Sequence, residues 1–203
     1  MAMLHASKAL EIYSQIGDSF GQAWAYTSFG LIHTWFTGQV DEARTNFQTA
    51  LNYAQGIDYR RIQQQVFDGL GDLEFSVGDY VAAERYFRGS LRVSDETGQI
   101  RESLAKLYDI AHCLHLQGKY EKAAELLSVA HKHPRAGERF YIRQRLDTIR
   151  EAIEELQAQV IEALSDEVYQ AAIERGQTHT FEAVVLDLLK EGQFAQITDT
   201  QLK

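Results

Sequence analysis

Glycines stand at Gly38, Gly78 and Gly118, forty residues apart each time. Each opens the same short pattern: Gly38-Gln-Val-Asp-Glu-Ala43, Gly78-Asp-Tyr-Val-Ala-Ala83 and Gly118-Lys-Tyr-Glu-Lys-Ala123. Four residues after the alanine comes a large apolar residue (Phe47, Phe87, Leu127), and three further on a small one (Ala50, Ser90, Ala130). A fixed period of this length marks a repeat architecture, in which each unit is a supersecondary element that cannot bury its apolar face alone.

The local signals make that element a pair of antiparallel helices. Pro134 is the single proline, and clusters of loop residues are few. The spacing predicts first helices over 19–37, 59–77 and 100–117, and second helices over 39–55, 79–96 and 119–132. The turn glycine ends each first helix in a left-handed conformation. Gly17, Gly56 and Gly98 end second helices, and Asp18 and Asp58 are placed to cap the helices that follow. Ala43, Ala83 and Ala123 let two backbones approach, and the large residue one turn later fills the space between helices.

The pattern resembles the tetratricopeptide repeat. The turn glycine, the aromatic two positions on (Tyr80, Tyr120, with Val40 departing), the alanine and the large-then-small pair all match. Gly71 and Ala111 match the family's small residue in the first helix; Leu31 does not, and Gly30 beside it is a substitute. The period is 40, against the family's usual ~34. The resemblance covers about residues 1–133 and implies a right-handed α-α superhelix, an all-α solenoid. It comprises a half repeat over 1–17 and repeats starting near 24, 64 and 104. Ala2, Ala6, Ala9 and Leu10 fall where the second helix of an earlier repeat would place them. The chain therefore reads as starting mid-repeat, with an apolar flank to be covered. A second copy of the chain is one candidate cover, giving a homodimer.

After Pro134 and Gly137 the period stops, and 134–203 reads as a long helix and a helical cap packed into the same domain. The long helix spans roughly 138–164, with a stripe at Ile142, Leu146, Ile149, Ile153, Leu156 and Val160 in steps of four and three. That seam either caps the solenoid or pairs two chains. Two short helices finish the chain: Ser165 can cap the first and Gly176 ends it; Thr180 can cap the second. The string Leu164-Ser-Asp-Glu-Val-Tyr-Gln-Ala-Ala-Ile-Glu-Arg-Gly176, then Thr180-Phe-Glu-Ala-Val-Val185, is similar to the end of the helical-repeat region in large bacterial signal-transduction ATPases. Those include LuxR-like and maltose-activator-like regulators. That resemblance covers about 25 residues and implies a nucleotide-binding domain upstream in such proteins. No ATPase or DNA-binding activity carries over to this segment.

The chemistry-bearing motifs are absent from the sequence. Gly69-Leu-Gly71 lacks the third glycine of a dinucleotide fingerprint, and Gly118-Lys119 lacks the rest of a phosphate loop. There is no nucleophile elbow and no His-Glu-x-x-His. The expectation is a binding protein and not an enzyme, with no cofactor. His112-Cys113-Leu114-His115 puts two histidines on one helical face, with His131 and His133 further on. A metal needs three or four converging ligands, so polar lining around a buried thiol is the expectation, without a metal. The net charge of −9 argues against nucleic acid as partner. The lone Cys113 fits a reducing, cytoplasmic setting, and no apolar run of about 18 residues would span a membrane.

In repeats of this kind the first helices line an inner groove, at positions two, five, nine and twelve of each copy. These are Ala25, Ser28, Ile32 and Trp35, then Gln65, Asp68, Asp72 and Phe75, then Ala105, Tyr108, His112 and His115. Asp68 and Asp72 are like charges one turn apart, which a basic ligand or the nearby Arg101 would relieve. Trp35, Phe75 and Tyr108 suit a helix or an extended peptide with apolar anchors, or packing by the C-terminal helix. The reading is a protein–protein interaction module, a tetratricopeptide-type scaffold, from the sensor or interaction region of a bacterial signalling or transcriptional regulator. The alternative is a receptor module that takes a small ligand or signalling peptide in the groove.

Overall fold

In the computed structural model, which describes residues 2–136 and 146–191, each turn glycine sits at positive φ: Gly38 at 67°, Gly78 at 87° and Gly118 at 76°. The chain reverses there because only the left-handed conformation closes the last turn of one helix so close to the first of the next. The result is all-α: among the described residues there are ten α-helices and no strand. Contacts divide the chain into two units, Met1–Gly98 and Gln99–Lys203.

The first unit holds α1 (Ala2–Gln15), α2 (Ser19–Ile32), α3 (Val40–Gly56), α4 (Arg60–Ser76) and α5 (Tyr80–Glu96). Consecutive helices pack as neighbours, and α2 also touches α4. Phe47 is the keystone. Its ring is fully buried, and a side chain at Gly30 would come within 2.6 Å of it, at Gly69 within 2.4 Å. The ring therefore fills a socket whose walls are bare backbone of α2 and α4. Phe87 meets Gly71 in the same way, at 2.4 Å. Gly30 thus takes the role of Gly71, the substitution expected from the departure at Leu31. Ala43, Ala50, Ala83 and Ser90 are fully buried, as close helix packing requires. Arg44 ties α3 to α4 with a bidentate pair to Glu74 at 2.8 and 3.0 Å, and that hydrogen-bonded carboxylate holds the Arg44 guanidinium above its ordinary range.

Two local expectations are corrected in this unit. The first helix reaches residue 37 as expected, but its end is not regular α-helix: α2 gives way after Ile32 to a π-helical turn over His33–Thr37. The Thr34 hydroxyl donates to the Gly30 carbonyl at 2.9 Å, and His33 Nδ1 lies 3.1 Å from the Thr37 hydroxyl. Asp58 does not cap α4. It occupies the left-handed turn position itself, at φ 50°, and pairs with Arg60 at 3.2 Å. Helix α3 keeps Gly56 inside it, so the positive-φ position falls two residues later, where aspartate tolerates it. Asp18 does cap α2, accepting from the Gly21 amide at 3.0 Å.

The second unit holds α6 (Ile100–Leu116), α7 (Tyr120–Lys132), α8 (Leu146–Ala163), α9 (Asp166–Thr178) and α10 (Phe181–Glu191). Helix α7 is the hub and touches each of the other four. Ala123 and Ala130 are fully buried on it, and Leu127 nearly so. Ser165 caps α9, accepting from the Val168 amide at 3.4 Å, and Thr180 caps α10, accepting from the Ala183 amide at 3.2 Å. Gly176 does not end α9, which runs to Thr178. It is buried instead against α7, where a side chain would stand 2.6 Å from the Glu125 carbonyl oxygen. The Ser128 hydroxyl donates to the Ile173 carbonyl at 3.1 Å, and Arg175 pairs with Glu121 at 2.8 Å along the same seam. Of the long-helix stripe, Leu156 and Val160 are buried and Ile153 is half-buried, so that stretch faces inward in this unit. Ile142 and the side chains of Leu146 and Ile149 lie outside the described residues.

Candidate functional site

The first-helix stripe of the first unit is the candidate site. The stripe runs along α2 and α4, two helices in contact. Trp35 sits on the π turn and is 61% exposed, with Phe36 beside it at 83%. Both aromatics stand outward on that turn. Ser28 is half-buried and its hydroxyl bonds back to the Trp24 carbonyl at 2.9 Å. Ile32, the last residue of α2, is half-buried, as are Gln65, Asp68, Asp72 and Phe75 on α4. The Phe75 ring meets Tyr80 edge-on at 5.4 Å. Both aspartates take part in interactions within the molecule. The stripe is thus an aromatic end at the π turn and an acidic stretch one helix over.

Not every stripe position reaches the surface. Ala25 and Ala105 are buried packing residues. Tyr108, expected to line the groove, is 7% exposed; burial pushes its hydroxyl up to about 12, and its ring lies 5.6 Å from His131. His112 and His115 are half-buried on α6, His115 with its ring 5.3 Å from Tyr120. Helix α8 packs on α6, and the charge of Glu155 reaches His112. In the second unit the C-terminal helix, and not an open groove, is therefore the neighbour of this stripe. Cys113 is buried, and among the described residues no three His, Cys, Asp or Glu side chains converge as metal ligands would. Trp24 and Phe36 are exposed aromatics that the stripe positions missed; each adjoins a named position, Ala25 or Trp35.

The histidines set a pH dependence. Burial lowers the pKa of His112, and the charge of His115 lowers it further, with Asp109 and Glu155 opposing; burial also lowers His115. Both are held neutral in the fold. Above the ordinary value of about 6.5 the folded and unfolded chains bind protons alike. Below it the unfolded chain binds more, so stability falls as the pH drops. Urea midpoints are expected to decrease between pH 7.5 and 5.5, and His112→Asn is expected to flatten that decrease. An unchanged slope would remove His112 from the account.

These features define an all-α helical-repeat protein whose described surface offers an aromatic and acidic first-helix stripe. No protein-family model and no solved structure matches the chain. Among curated proteins it is similar to response regulator aspartate phosphatase J of Bacillus subtilis (strain 168). The two are 26% identical over 126 residues, which is 61% of this chain and 33% of that protein. The chain thus spans about a third of the length of the curated relative it matches. No described helix is long and apolar enough to cross a membrane.

Proposed function

We propose that the chain is a protein-binding module of a bacterial signalling regulator, and that it engages its partner through the stripe formed by Ser28, Ile32, Trp35, Gln65, Asp68, Asp72 and Phe75. The role is binding and not catalysis. The observation that carries this reading is Trp35, turned out at the π turn beside Phe36: exposed aromatics of this kind anchor protein and peptide ligands. The aspartates of α4 give the stripe a negative sign, which selects a partner segment with lysine or arginine next to an apolar anchor. The relative's printed name ties it to response regulators, and we place this chain's partner in the same class of signalling protein.

Of the two tryptophans, Trp35 lies on this surface and Trp24 does not, so the part of the emission that Trp35→Phe removes reports on it. Titration with response regulators, and with short basic peptides carrying one aromatic anchor, is expected to shift that emission, with Trp35→Phe removing most of the change. Asp68→Asn together with Asp72→Asn is expected to weaken a basic ligand about tenfold, about 1.4 kcal/mol in all, since each partly exposed charge pair is worth up to about 1 kcal/mol. Far-UV circular dichroism should not change. Equal affinity of the double variant and the parent would dispose of the stripe as the site.

A further inference from the structure

Helix α1 buries one face and leaves the other open. Tyr13 packs on α2, so closely that a side chain at Gly21 would stand 2.3 Å from its ring, and Ala6, Ala9 and Leu10 are half-buried along the same face. On the opposite face Leu4 and Ile12 are each 56% exposed, and Ile16, in the turn that follows, 69%. Trp24 on α2 is 42% exposed, whereas Gln64, which stands at the same position one period later, is buried. Leu4, Ile12 and Ile16 stand on one face, two turns and then one turn apart with Lys8 in the gap, and an apolar strip with this exposure marks an interaction surface.

The charges identify the occupant. In a chain that is 24% charged with a net charge of −9, α1 carries only Lys8 and Glu11. Both are exposed, both lie within the apolar strip, and they cancel. We propose that this face pairs with the same face of a second copy, the two α1 helices running antiparallel about a two-fold axis level with Leu10. That axis brings Leu4 of each copy beside Ile16 of the other and Lys8 beside Ile12 and Glu11, so both opposite charges meet twice. Self-complementarity of this kind is what a two-fold interface requires, and low net charge at its centre is what one prefers. A 14-residue helix is about 21 Å long, so the pairing is of the weak, concentration-dependent kind. The surface is separate from the stripe on α2 and α4, and either can fail without the other.

Sedimentation or light scattering of the whole chain is expected to show a mass rising from 23.1 kDa toward twice that value with concentration. Lys8→Glu alone and Glu11→Lys alone each place like charges together twice, and each is expected to raise the dissociation constant at least about tenfold. Lys8→Glu combined with Glu11→Lys in one chain, or an equal mixture of the two single variants, is expected to restore pairing. The three positions changed, Lys8, Glu11 and Ile12, are exposed, and circular dichroism checks that each variant is folded; Ile12→Asp is the apolar counterpart and should abolish pairing. A constant monomer mass, single reversals without effect, or a double swap that does not restore pairing would each overturn the proposal.

Discussion

Phe47→Ala is expected to cost about 3–5 kcal/mol, the upper range for truncating a buried aromatic. The reason lies in the socket. Truncation usually costs less where neighbouring side chains lean into the space left behind. Here two of the ring's neighbours, Gly30 and Gly69, have no side chain to lean, and the ring is fully buried. A domain is stable by about 5–15 kcal/mol, so the loss is a large share of the total. Urea unfolding followed by far-UV circular dichroism measures it. A loss below about 1 kcal/mol would mean that α2 and α4 close over the gap. Phe47→Leu should fall between the two.

Gly176→Ala is the second large effect, and its sign is diagnostic. Inside a helix, glycine to alanine ordinarily stabilises by about 0.5–1 kcal/mol. Here the added carbon would meet the Glu125 carbonyl oxygen at 2.6 Å and the Ser128 β-carbon at 2.9 Å. A carbonyl on the α7 backbone cannot rotate aside, so α9 has to move off. Its bond from Ser128 and the Arg175–Glu121 pair would loosen with it. A net destabilisation of about 1–3 kcal/mol is expected, in the range of core overpacking. Hydrogen exchange should quicken along α9 and α7 and stay unchanged along α2 to α4. A gain in stability would show that the helices separate freely at this point.

The repeat core was readable because the same residue types recur where the geometry is the same. Ala43, Ala83 and Ala123 all turn out fully buried, and the glycines at 38, 78 and 118 all take the left-handed turn. What escaped was whatever departs from the period or depends on distant contacts. The π turn over His33–Thr37 widens one turn without changing the residue types that carry the period, so apolar spacing does not register it. Gly176 could serve either to stop a helix or to admit a neighbour, and its sequence neighbourhood does not distinguish the two. Tyr108 stands at a stripe position yet is buried, because repeat numbering assumes that every copy shows the same face. Glu155 reaching His112 joins residues 43 positions apart, beyond any local rule. For the stripe itself, residue type identified Trp35, while its outward turn had to come from the backbone.

The glycine-walled socket also bears on how such an array can change length over evolutionary time. Phe87 leans on Gly71 as Phe47 leans on Gly30. Loss of a full forty-residue span, 38–77 for instance, would hand Phe87 to Gly30 and leave a ring against bare backbone as before. A unit can thus be lost between two such sockets with a glycine still set against the ring.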